Sequence, residues 1–306
     1  MKSALILLLI LAFGGAVRSQ DSLAHYVASG TDLHDRGYFE EAIASYDSAL
    51  RYNPFYYTAL YEKALTLAEM KRYPEAATLC ASLIEHYPDS SNKGAYVLYG
   101  TMLDNQGKGT EAVKVYGEGI RKNPQSYLLY FNRGVTQFQM QNVVEAEADL
   151  IHALARNPYH AGSHNVMAYV QHDANRVYAI LANTVLLAVE PRTERSRLAL
   201  ARLDKLIGAG VEKKDSSNIN ITLFMPDEKE SKKEANNFRN IELILSLSVA
   251  SSISENKNDA HAGRLVRIME TLAASLAEQQ KEGRGFAWRF YAPFVSRLKK
   301  DGHLET

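Results

Sequence analysis

Cysteine is nearly absent: Cys80 is the only one in 306 residues. A single thiol excludes an intrachain disulfide framework and any multi-cysteine zinc site. Proline (8) and glycine (18) are scarce as well, which excludes collagen-like and low-complexity chains. Neither sign of charge is in excess, with 35 Lys+Arg against 35 Asp+Glu and a pI near 7.1. Without a basic footprint, no nucleic-acid partner is expected. HExxH, GxSxG, a phosphate loop and GxGxxG are all missing, so no cofactor and no enzymatic activity are expected. Beyond the first twenty residues no stretch of eighteen apolar residues occurs, so no integral membrane segment is expected there. What is present is an ordinary globular mixture, 46% hydrophobic and 23% charged, which excludes wholesale disorder.

The one long apolar run stands at the start. Lys2 precedes Ala4 to Phe13, and small residues follow, with Val17 and Ser19 suited to a cleavage site. About ten apolar residues fall short of the ~20 needed to span a bilayer. Residues 1–19 therefore read as a secretory signal cut after Ser19, and the mature chain as exported, periplasmic or at the cell surface of a bacterium. The alternatives are an uncleaved anchor or a buried first helix.

Proline reveals the order of the rest. Pro54, Pro88, Pro124, Pro158 and Pro191 follow one another at intervals of 34, 36, 34 and 33 residues. Twelve residues before each stand Ala42, Ala76, Ala112, Ala146 and Ala179. Twenty-four before stand Gly30, Ala64, Gly100 and Gly134, with Met167 or Ala168 in a fifth, degenerate unit. Helices approach closely where their contacts are small, so Gly or Ala on a first helix is expected to face Ala on a second. The residue before each proline leaves the helical region, which ends the second helix. Each unit then reads as two helices of about 13 residues around a turn such as Arg36-Gly37-Tyr38 or Asn105-Gln106-Gly107.

This pattern resembles the tetratricopeptide repeat. Its signature reads here as Tyr26…Gly30…Leu33…Ala42-x3-Tyr46…Pro54, and again as Tyr99-Gly100…Leu103…Ala112-x3-Tyr116…Pro124. The resemblance implies an all-α fold: a right-handed superhelix of about five helix-turn-helix units (22–55, 56–89, 92–125, 126–159, 160–192) followed by a C-terminal helical region. It also implies a concave wall made by the first helix of each unit. The wall positions carry Tyr61, Leu65, Val97, Leu128, Phe131, Val135, Phe138 and Tyr169, an apolar stripe of the kind that marks an interaction surface. The expected function is a non-enzymatic scaffold holding a partner protein or peptide there. The competing occupant is the chain's own C-terminal region. The clamp that some relatives use for a terminal carboxylate is excluded, because the matching positions carry Val27, Thr31, Glu62, Gly94 and Leu98, with no cation among them.

Other polar clusters invite less. His160, His164 and His172 could share a helical face, but no carboxylate pair completes a metal set, so no metal is expected. Cys80 occupies a packed position and reads as a small buried hydrophobe. Residues 193–210 read as a capping helix, 211–237 as a polar linker with an extended piece at Ile219, Ile221 and Leu223, and 238–306 as helical. The segment 238–253 is apolar enough to be a buried helix. Phe286, Trp288, Phe290, Tyr291 and Phe294 read as core for the helix before them, or alternatively as a binding patch. The second functional reading follows from that region's length: a ligand-binding or catalytic module positioned by the repeats. Oligomeric state is not encoded in any of these patterns.

Overall fold

A computed structural model describes residues 22–89, 92–215, 218–223, 235–254, 261–280 and 284–304. The segment 1–19, read above as a signal, lies outside them. Among the described residues no helix is long and apolar enough to cross a membrane. The described residues hold fourteen helices and one two-stranded hairpin in two compact units, divided at Glu145/Ala146.

The first unit is a succession of antiparallel helices: α1 (residues 22–35), α2 (Phe39–Tyr52), α3 (Tyr57–Glu69), α4 (Tyr73–His86), α5 (Lys93–Asn105), α6 (Gly109–Lys122) and α7 (Tyr127–Gln139). First helices have 13 residues and second helices 14 from α2 to α7. Consecutive helices pack on one another from α2 to α7, and Gly30 of α1 lies against Tyr46 of α2. The buried positions are the periodic ones: Ala42, Ala64, Ala76 and Ala112 are wholly inaccessible.

The small residue on the first helix serves a purpose the spacing alone did not reveal. Gly30 does not face an alanine. A Cβ there would lie 2.4 Å from the Tyr46 ring, and one at Gly100 would lie 2.4 Å from the Tyr116 ring. Each glycine makes room for a buried tyrosine on its second helix. Where the second helix carries Cys80, the first carries Ala64, and both belong to one buried cluster. Ring volume and missing methyl trade against each other at close-packed density.

The structure also shows a longer period. Gly30, Thr31, Gly37, Tyr46, Thr66 and Lys71 recur seventy positions on as Gly100, Thr101, Gly107, Tyr116, Thr136 and Gln141. The unit of repetition is thus a pair of hairpins. Each turn within a hairpin needs one left-handed residue: Gly37 (φ 80°), Lys71 (φ 59°), Gly107 (φ 75°) and Gln141 (φ 68°). Glycine adopts this at no steric cost, whereas lysine and glutamine do not.

The second unit holds α8 (Val143–Arg156), α9 (Ala161–Val170), α10 (Arg176–Val189), α11 (Glu194–Gly208), β1 (Val211–Lys213), β2 (Ile219–Ile221), α12 (Arg239–Ser254), α13 (His261–Gln279) and α14 (Phe286–Lys300). α9 has only 10 residues. Its hairpin lacks the left-handed turn residue; instead Asn175 caps α10 by accepting from the Tyr178 N–H at 3.0 Å. Met167 and Ala168, the two candidates for the small position, are both wholly buried. α11 starts with a reciprocal capping box between Thr193 and Ser196, which satisfies two otherwise orphaned donors. Val211–Lys213, polar on reading, is not loop: it pairs antiparallel with Ile219–Ile221, Val211 opposite Ile221.

Helix α12 departs from its expected burial. Ile241, Leu245 and Val249 are in the core, but Leu243 and Leu247 are 41% and 51% exposed. An apolar run of this length is buried on one face only. The aromatic C-terminal segment is core in part, with Phe286, Phe290 and Phe294 partly exposed. Trp288 and Tyr291 are buried, Trp288 stacks on Phe238 at 4.5 Å, and its Nε1 donates to the Asn237 carbonyl at 3.0 Å. α14 packs against both α13 and α10.

Candidate interaction surface

On α3, Leu60, Ala64 and Leu67 recur at i, i+4 and i+7 and are buried against neighbouring helices. Tyr61 and Leu65 stand one position further round and stay half-exposed. The same offset on α5 and α7 leaves Val97, Phe131, Val135 and Phe138 half-buried, and Leu128 is 39% exposed. None of the seven wall residues of the first unit is buried. Tyr61 stacks on Tyr57 at 5.9 Å between centroids. Its hydroxyl lies 3.0 Å from where a Cβ would project at Gly94, so Gly94, itself a wall position, lets the ring lie flat on α5. In the first hairpin the equivalent Val27 is buried, at 8% exposure.

Tyr169, the eighth predicted residue, belongs to the second unit. The Arg202 guanidinium of α11 sits 4.1 Å over its ring, and that arginine also donates to Asn183 and Asn165 at 2.9 Å each. This three-way grip ties α11 to α9 and α10.

Polar groups punctuate the first unit's apolar wall. His34 Nδ1 lies 2.8 Å from the Thr66 hydroxyl. Glu62, half-buried beside them, has its carboxyl held above the usual range by burial, partly offset by the nearby His34. On α5, burial likewise raises the Asp104 carboxyl, and the Thr136 hydroxyl facing it works the other way. The cations inside α3 and α7 turn elsewhere: Lys63 pairs with Asp47 of α2 at 2.5 Å, and Arg133 lies over the Tyr130 ring at 5.9 Å. Sequence spacing did not single out either carboxylate. Their environment comes from residues about 30 positions away.

The three clustered histidines have separate settings. His164 is fully buried, with Nδ1 2.9 Å from the Tyr291 hydroxyl and Nε2 2.8 Å from the Pro158 carbonyl. Burial depresses its pKa to about 4. The neutral ring then carries its proton on Nε2 and accepts from Tyr291. His160 caps α9 through Ser163, and His172 lies beside Asp173 at 3.8 Å. Among the described residues no group of three His, Cys, Asp or Glu could hold a metal ion. Cys80 is buried and its thiol is pushed up to about 12 by desolvation, which leaves no thiolate for chemistry.

The second unit contains a feature that no local pattern announced. Arg176, the first residue of α10, is almost wholly buried and pairs with Glu242 of α12 at 3.2 Å. It also donates to the Ser246 hydroxyl at 3.1 Å and to the Ala209 carbonyl. One guanidinium thus joins the fifth hairpin, the end of α11 and α12. A shallow cleft of about 90 Å³ nearby is lined mostly by aliphatic side chains such as Ile207, Val249 and Ile268, with Asp204 and Arg264. Ligand sites commonly run from about 300 Å³ upward, so this cleft does not fit a substrate-sized molecule.

Comparison with known proteins agrees with this geometry. A family profile described as "Tetratricopeptide repeat" matches residues 27–91 and 100–161, two segments of a hairpin pair each. No curated protein matches the sequence significantly. Among solved structures, a tetratricopeptide repeat protein from Thermus thermophilus, TTC0263, superposes with a TM-score of 0.50 at 21% identity, covering 60% of this chain and 99% of that one. PilW, a type IV pilus biogenesis factor, superposes with a TM-score of 0.54 at 18% identity, covering 61% of this chain and 86% of that one. Likeness at these identities concerns the fold alone. The hairpin series, the small-residue spacing and the family match agree that residues 27–91 and 100–161 are tetratricopeptide repeats.

Proposed function

We propose that the chain is a non-enzymatic scaffold that holds a partner protein through a peptide segment laid along the first unit's wall. The observation that carries this is the exposure of one apolar set: Tyr61, Leu65, Val97, Leu128, Phe131, Val135 and Phe138 all keep accessible surface. Burying a large apolar side chain fully contributes about 1.5–3 kcal/mol. Leaving seven of them accessible forgoes that stabilisation unless a partner supplies it. Flat, rigid tyrosine and phenylalanine rings are also the side chains on which binding energy concentrates. Reading residues 1–19 as a secretory signal, the proposed place of action is outside the cytoplasm, in the periplasm or at the cell surface.

The test is a paired substitution, Tyr61→Asp with Phe131→Asp, in the full chain. Both side chains keep accessible surface, but Tyr61 also packs against two core clusters, so the folding of the variant is checked by far-UV circular dichroism. Recovery of partners from the exported fraction should be lost. Undiminished recovery by a folded variant removes the wall from consideration.

A further inference from the structure

The wall of the first unit is built with an asymmetry of charge that its apolar stripe conceals. It carries two half-buried carboxylates, Glu62 and Asp104, and among the described residues no Lys or Arg reaches either one. Each stands beside buried hydroxyl groups at equivalent places in the two hairpin pairs. In the first, the Tyr46 hydroxyl is wholly buried, faces Thr31 and Thr66, and closes no hydrogen bond. In the second, Thr101 reaches the Tyr116 hydroxyl at 3.1 Å, while the buried Thr136 hydroxyl faces Asp104 without closing a bond. A partly desolvated carboxylate with no Lys or Arg against it costs free energy. Beside each, a buried hydroxyl still has hydrogen-bonding capacity to spare.

We propose that the segment bound on this wall is mostly apolar and carries two basic side chains, one set against Glu62 and the other against Asp104. This rests on the wall being the binding site. An incoming cation regains the Coulomb energy that the carboxylates lack, and an acidic segment is turned away by the same charges. The spacing follows from the helices. α3 and α5 pack side by side, which puts their axes about 9 Å apart. Glu62 is the sixth residue of α3 and Asp104 the twelfth of α5, which adds about 9 Å along the axis. That sets the two positions roughly 13 Å apart, and because Glu62 leans towards His34 of α1 and Asp104 towards Thr136 of α7, the carboxyl groups diverge further, to about five or six residues of extended chain.

A library of random twelve-residue peptides displayed on phage, selected on the immobilised full-length protein, tests this. Recovered clones should carry two Lys or Arg residues about five or six positions apart among Leu, Val and Phe. Synthetic copies should lose about tenfold in affinity when both basic residues become Gln. They should lose the same factor against Glu62→Gln with Asp104→Asn, neutral isosteres whose folding is checked by circular dichroism. Clones that disappear with Tyr61→Asp and Phe131→Asp, yet have no basic pair or keep full affinity for the neutral variant, overturn the charge proposal and leave the wall as the site. Recovery of no clone, or of clones indifferent to Tyr61→Asp and Phe131→Asp, overturns both.

Discussion

Acidification should loosen the second unit, and His164 is the reason. An unfolded histidine titrates at 6.5, but burial between Tyr291 and the Pro158 carbonyl lowers the folded value to about 4. The folded state therefore binds fewer protons than the unfolded state between these limits. The stability this group contributes is fully present above pH 6.5 and is lost as the pH falls towards 4. Each pH unit in that window removes about 1.4 kcal/mol. Between pH 7.5 and 5.0 the loss from His164 is about 2 kcal/mol. Trp288, the only tryptophan, is buried on α14 in the same unit, so urea unfolding followed by tryptophan fluorescence reports on this part of the molecule. His160 is also depressed and Glu147 is raised, both chiefly by burial, so other slopes overlap. The difference between the wild type and His164→Gln isolates the group. The variant should be less stable at pH 7.5, and its deficit should shrink by about 2 kcal/mol at pH 5.0. A deficit that stays constant across that range would refute the buried neutral imidazole.

Three further outcomes follow from the packing. Gly100→Ala should destabilise the first unit by about 1–3 kcal/mol despite alanine's better helix propensity; adding Tyr116→Leu should recover part of that in a double-mutant urea titration, because the ring is what the methyl strikes. Lys71→Gly and Gln141→Gly should each raise the thermal midpoint, with a gain of about 0.5–1 kcal/mol, since both residues occupy the left-handed region; a lower midpoint would mean that their side chains contribute more than the backbone strain costs. Glu242→Ala should cost the second unit about 3–5 kcal/mol by leaving the Arg176 charge buried and unanswered, whereas Arg176→Met with Glu242→Leu should cost much less, both read by Trp288 fluorescence in urea.

The repeated hairpins were legible because their signals are local: a proline closing each second helix and a small residue at a fixed offset. Their partners were not. Spacing shows that Gly30 and Gly100 must be small, but only the packed structure shows that Tyr46 and Tyr116, rather than alanines, fill the room they leave. The turn at Lys71 and Gln141 carries no turn-forming residue, so its left-handed geometry is imposed by the helices on either side. Arg176 and Glu242 lie 66 positions apart, and no periodicity joins such a pair. α12 reads as buried because hydropathy counts apolar residues without asking which face has a neighbour; Leu243 and Leu247 have too little. The proposed wall positions could be named by counting along the helical phase. The polar setting of Glu62 could not, because His34 reaches it from a different hairpin.

The seventy-residue echo has a consequence for anyone who would cut and rejoin this chain. A tyrosine ring in one hairpin is matched to a glycine in the same hairpin, and the next hairpin solves the same problem with a cysteine and an alanine. Exchanging half of one hairpin for half of its neighbour would set a ring against a methyl group, or leave a void where the ring had been. Grafts and deletions that move by whole hairpins keep each match intact, and moving by whole pairs also keeps the order in which the two solutions alternate.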